Sequence, residues 1–143
     1  MTTKAAAAKP VRKQTSEIFA DARSFSSFSV NDLQKAKEFY GQKLGLEVRE
    51  TEEGLELKAD HNAVFIYPKP NHTPASFTVL NFPVENIEAA VDELNSLGIK
   101  LEHYDLPDMK TNERGIARGP KGPTIAWFKD PAGNILSVIE MKQ

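Results

Sequence analysis

Val30-Asn31-Asp32-Leu33-Gln34-Lys35-Ala36-Lys37-Glu38-Phe39-Tyr40-Gly41-Gln42-Lys43-Leu44-Gly45-Leu46 is the stretch on which the fold turns, because the chain uses it twice. Asn31 or Asp32 can cap a helix, Leu33, Ala36, Phe39, Tyr40 and Leu44 recur at helical spacing, and Gly45 marks the stop. Val30, Asp32, Leu33 and Ala36 match Val84, Asn86, Ile87 and Ala90 at an offset of 54, and Leu44-Gly45-Leu46 matches Leu97-Gly98-Ile99 at 53. An internal repeat in register decides architecture better than local propensity does.

Strands flank both copies. In the first half, residues 25–30 read as a strand before the helix, residues 46–49 as a strand after it, and 55–58 with 64–67 as a hairpin around Asp60-His61-Asn62. Pro68, Pro70 and Pro74 then make a linker, since proline disrupts helix and sheet ladders alike. In the second half, residues 76–82 read as a strand, Ile87, Ala90, Val91, Leu94 and Leu97 mark an amphipathic helix, and residues 99–102 read as a strand. The chain closes on a hairpin, Ile125-Ala126-Trp127-Phe128-Lys129 and Ile135-Leu136-Ser137-Val138-Ile139 around Asp130-Pro131-Ala132-Gly133-Asn134, whose Pro and Gly supply turn dihedrals. The predicted register sets Lys129 opposite Ile135, Phe128 opposite Leu136 and Trp127 opposite Ser137, which puts Trp127 and Ser137 on one face. A strand, a helix and three strands therefore occur twice. The expected divisions are a flexible basic tail over 1–21, a first module over 22–70, a linker over 71–75 and a second module over 76–143.

Composition narrows the function. A chain of 143 residues with 40% hydrophobic content can bury roughly two-thirds of its unfolded surface. It has no cysteine, which excludes disulfides, thiolate nucleophiles and cysteine-based metal sites. No apolar run approaches the roughly 20 residues of a membrane span, and a cytoplasmic protein without a membrane partner is expected. Residues 1 to 16 hold Lys4, Lys9, Arg12 and Lys13 and no acid; the remaining 14 basic residues face 20 acidic ones, a net −6. The tail is expected to be mobile with no fixed partner, and no nucleic acid is expected, because the acidic body repels phosphate and no stacking aromatic accompanies the tail's charges.

The first-half motif, its second-half repeat and the closing Trp127-Phe128-Lys129-Asp130-Pro131-x-Gly133-Asn134 together resemble the vicinal oxygen chelate superfamily. That group includes glyoxalase I, extradiol dioxygenases, fosfomycin-resistance enzymes and bleomycin-binding resistance proteins. The resemblance covers about residues 22 to 142 and implies an α+β fold: two βαβββ modules in one chain, their mixed sheets curled into a cup with helices outside and a small-molecule site inside. It also implies a divalent metal held by His, Gln or Glu on cup-facing strands. The matching positions here are Phe25, Val79 and Ser137, with the fourth on or near Ile66 or Tyr67. Phe and Val cannot donate to a metal and a neutral Ser hydroxyl is a poor ligand, so no metal and no cofactor are expected. His61, His72 and His103 share no ligand spacing and read as solvated, with a His103–Glu113 pairing as the one alternative.

Strand parity puts Phe25, Ser27 and Ser29 on one face, Val79 and Asn81 on one face, and Ile125, Trp127, Ser137 and Ile139 inside the cup, an apolar, aromatic wall with a few polar groups. The same residues could instead simply fill the core. The stretch 106–123, rich in Gly and Pro, reads as a flap presenting Arg114 or Arg118 to an anionic or polar ligand, so that replacing both by Ala should weaken binding more than tenfold. The expected ligand-binding set is Phe25, Ser27, Val79, Asn81, Arg114, Arg118, Trp127 and Ser137. Two functions remain open: a module binding a small, partly aromatic organic molecule in a metal-free cup, or a metal-dependent enzyme of glyoxalase, lyase or dioxygenase type with a displaced metal. A homodimer is expected in either case.

Overall fold

The computed structural model describes residues 16–58, 63–120 and 122–141; His61, Lys121 and most of the basic tail lie outside the described residues. The end of the expected tail is helical, with α1 (Glu17–Asp21) capped by the Ser16 hydroxyl and fully exposed.

Both copies of the repeat make the same helix start. Asp32 Oδ1 accepts from Lys35 N at 3.1 Å to open α2 (Leu33–Lys37), and Asn86 Oδ1 accepts from Ala89 N at 3.0 Å to open α3 (Ile87–Ser96). These side chains satisfy amide hydrogens that a helix leaves unpaired at its start. The repeat also explains both ends: Gly45 and Gly98 take φ of 79° and 78°, which costs a residue without Cβ little. Between the cap and Gly45 the first copy departs from its partner, because α2 runs into a π-helix over Glu38–Lys43. Leu44 N bonds to Phe39 O at 2.9 Å, five residues back. Within it the consecutive residues Phe39 and Tyr40 are both buried and meet edge to face at 5.0 Å.

Two four-stranded mixed sheets carry the modules, confirming the α+β class. The first has the order β1 (Ser26–Val30), β4 (Ala63–Pro68), β3 (Leu55–Lys58), β2 (Val48–Glu50); the second has β5 (Thr78–Val84), β10 (Ile135–Glu140), β9 (Thr124–Lys129), β8 (Ile116–Arg118). β1 runs parallel to β4 and β5 parallel to β10, while the other neighbours are antiparallel. The closing hairpin takes the register read from sequence, Trp127 opposite Ser137 and Phe128 opposite Leu136.

Two readings need correction. Residues 99–102 do not form the expected strand: their backbone meets β9 at an isolated bridge, Leu101 opposite Phe128, and through Glu102 N donating to Trp127 O at 2.8 Å. The chain then leaves for a small hairpin, β6 (Asp105–Leu106) with β7 (Met109–Lys110), and returns as β8 to pair with the rest of the same β9 edge. The stretch expected to be a flap therefore contains a strand of the sheet. Gly115, at φ 86°, makes the return close, since a Cβ there would lie 2.8 Å from Leu101 Cβ.

One continuous core joins the modules. It is built from the helix-facing side of both sheets, with Phe28, Tyr40, Leu55 and Ile66 from the first and Val91, Ile116, Phe128 and Leu136 from the second. Polar bonds fasten the seam. Asp130, 5% exposed, accepts from Ala132 N and Asn134 N through Oδ1, and from Asn134 Nδ2 and the Tyr40 hydroxyl (2.7 Å) through Oδ2. Asn134 Nδ2 also donates to Ser29 O at 2.9 Å. Burial first, then the charge and hydrogen bond of Asp130, push the Tyr40 phenol far above its ordinary range, so it stays a donor.

Candidate functional site

Strand alternation leaves each sheet a second face, turned away from the helices. In the second module that face carries Trp127 on β9, Ser137 beside it on β10 and Asn81 beside that on β5, because these three are cross-strand neighbours. Ser137 is fully buried, and its hydroxyl donates to Asn81 Oδ1. Trp127 is half-buried, and its indole Nε1 donates to Thr78 Oγ1 at 3.1 Å. A second aromatic meets it: Tyr104 approaches Trp127 edge to face, centroids 5.4 Å apart and planes at 84°. That is the arrangement in which a positive ring edge meets a negative ring face.

Tyr104 is held through its backbone at the base of the β6–β7 hairpin. Its N donates to Thr111 Oγ1 at 2.9 Å, and its O accepts from Thr111 N at 3.0 Å. Burial, and next the charge of Glu102, raise the phenol above its ordinary value. It is a neutral donor at physiological pH.

The wall is not quite the one the sequence predicts. Val79 is replaced by Thr78, because β5 carries one extra residue: Ile135 faces Thr78 while Leu136 faces Leu80. Such a bulge reverses the alternation, so Val79 packs against the core and Thr78 joins Asn81 beside Trp127. Arg114 and Arg118 are not part of it. Arg118 pairs with Thr124 across β8 and β9 and shares a face with buried Ile116, the helix side. There Arg118 binds Glu88, and Arg114 binds Glu88 and Asp92, all on α3.

In the first module, Ser27 is exposed opposite Phe65, and Phe65 stacks on Tyr67 at 6.5 Å. Phe25 stands just before β1 and is 64% exposed. Ser29 is bonded to the linker. Its Oγ lies 2.7 Å from His72 Nδ1, and His72 Nε2 lies 3.1 Å from the Ala132 carbonyl. A carbonyl only accepts, so Nε2 carries the proton and Nδ1 receives the Ser29 hydroxyl. His72, expected to be solvated, is instead a half-buried bridge between β1 and the closing turn.

The residues at the superfamily's metal-ligand positions do not fit a metal. Phe25 and Val79 have no donor atom, the Ser137 hydroxyl is committed to Asn81, and of the two candidates for the fourth position Ile66 is core, which leaves the Tyr67 phenol alone. Among the described residues no group of three or more His, Asp or Glu could hold one. His103 and Glu113 do line one cavity of about 390 Å³, but Lys100 and Arg114 line it too and oppose a cation.

Sequence reading missed Thr78, Tyr104 and His72. The bulge that promotes Thr78 has no local signal, and Tyr104 lies past the end of the expected strand 99–102, held by the β6–β7 hairpin that the sequence did not show.

The fold is shared with solved structures. A fosfomycin resistance protein, FosX, from Listeria monocytogenes matches with a TM-score of 0.64 at 11% identity, covering 85% of this chain and 94% of that one. Lactoylglutathione lyase from Agrobacterium tumefaciens matches at 0.58 with 24% identity, covering 84% and 93%. TnmS3, an antibiotic binding protein from Streptomyces sp. CB03234, matches at 0.55 with 20% identity, covering 85% and 98%. None of the curated proteins matches the chain. A family model does match, over residues 25–138, and with the repeat and the two-module architecture it shows that the chain belongs to the glyoxalase/bleomycin resistance protein/dioxygenase superfamily.

Proposed function

We propose that the protein binds a small organic molecule on the wall formed by Trp127, Tyr104, Thr78, Asn81 and Ser137, with no metal at the superfamily's usual ligand positions. The observation that carries this reading is the fixed indole: Trp127 is hydrogen-bonded at one end, braced by a second ring and flanked by a small hydroxyl, which leaves an aromatic surface with polar groups at its rim. Pre-ordered surfaces of that kind bind without first losing side-chain entropy. Ser27, Phe25 and the Phe65–Tyr67 pair supply the matching face of the first module. Function as a homodimer and a cytoplasmic location belong to the same proposal. The dimer reading is supported by Phe25 and Phe77, 64% and 68% exposed, just before the edge strands β1 and β5.

A thermal-shift screen against metabolites and antibiotics, each with and without divalent metals, tests it. A ligand at a hundredfold excess over its dissociation constant adds about 2.7 kcal/mol. The expected result is a shift that needs no metal and is lost in Trp127→Ala. A shift that requires metal would replace this reading with that of a metal-dependent enzyme, and one that survives Trp127→Ala would place the site elsewhere.

A further inference from the structure

We infer that the Trp127–Tyr104 wall selects an uncharged conjugated ligand bearing a hydrogen-bond-accepting oxygen, with the Tyr104 hydroxyl as the donor that recognises it. This rests on the binding function proposed above and adds the ligand's charge and the residue that reads its polar atom.

The pairing of charges on the open faces supports the first half. The cations there are already matched: Arg49 Nε with Glu56 at 2.8 Å, Lys58 with Glu47 at 3.9 Å and Lys129 with Glu102 at 3.6 Å. The two arginines expected to greet an anion are tied to Glu88 and Asp92 on the helix face. An anionic ligand would lose hydration at the wall and find the cations on the strands of these faces already paired; a cationic one would find the strand carboxylates there paired as well.

Directional bonding supports the second half. Thr78 Oγ1 already accepts from the indole, and the Ser137 hydroxyl is spent on Asn81. Tyr104 is bonded through its backbone, and its hydroxyl has no partner among the described residues. Burial, and then Glu102, oppose its ionisation, which keeps the proton available. The donor therefore belongs to the ring packed against Trp127, next to a ligand stacked on the indole.

Three near-isosteric probes separate these terms: methyl naphthyl ketone, naphthoate and ethylnaphthalene. Binding is read by calorimetry and by saturable quenching of Trp127, the single tryptophan of the chain. The ketone should bind about tenfold tighter than either other probe, the worth of one hydrogen bond or of avoiding one buried charge. Tyr104→Phe should bring the ketone down to ethylnaphthalene and leave ethylnaphthalene unchanged, which shows that the variant still folds and stacks. Naphthoate binding as tightly as the ketone, or a ketone preference that survives Tyr104→Phe, overturns the inference. So does failure of all three probes; if screen hits still depend on Trp127 in that case, only the ligand class is wrong, and if they do not, the binding function fails with it.

Discussion

Tyr40 and Asp130 stand 90 positions apart and meet at 2.7 Å inside the protein. The carboxylate is held by backbone amides of its own turn, and the phenol completes its shell from the other module. Tyr40→Phe removes the partner without leaving a cavity and should cost about 1–2 kcal/mol at neutral pH, measured by urea unfolding. A linked effect belongs to the same proton. The folded phenol's pKa is raised, so its contribution is complete below about pH 10, the value in the unfolded chain, and declines above it by about 1.4 kcal/mol per pH unit. Tyr40→Phe should therefore flatten the alkaline part of the profile, less a remainder from Tyr104, which shifts the same way. An equal slope in both proteins would sink this account. The sequence made the turn around Pro131 and Gly133 legible, since those residues act locally. It could not show which distant hydroxyl would enter the turn.

At the level of elements, α2, α3 and the closing hairpin were readable because caps, periodicity and turn residues are local; α1, inside the expected tail, was not. β8 was not: Ile116-Ala117-Arg118 is too short to show alternation and lies among glycines and prolines. The consequence falls on Arg114 and Arg118, which a mobile flap would have aimed at a ligand and which a sheet strand directs to α3. Replacing both by Ala should cost about 1 kcal/mol or less at low salt, because the pairs are part-exposed, and the loss should shrink in high salt. Ligand affinity in the Trp127 quenching assay should stay within about twofold. A tenfold loss would restore the arginines to the site. The β5 bulge carries the converse lesson, since a one-residue irregularity exchanged Val79 for Thr78 on the wall with no trace in composition.

For the whole molecule, the repeat was enough to give two modules and their sheets, while the site depends on which faces meet, and that is a property of the assembly. Light scattering should find twice 15.9 kDa, and Phe25→Ser with Phe77→Ser should return the single-chain mass. A wild-type mass of one chain at high concentration would end the dimer proposal. The fastening between modules has a further consequence. The first half offers a phenol and the Ser29 carbonyl; the second offers a carboxylate, an amide and the Ala132 carbonyl reached through His72. The joint has a plug and a socket, so two first halves cannot clasp each other, nor can two second halves. Were the seam to open, each plug would find an identical socket on a neighbouring chain, and the pair would close as a reciprocal exchange with every one of these bonds remade.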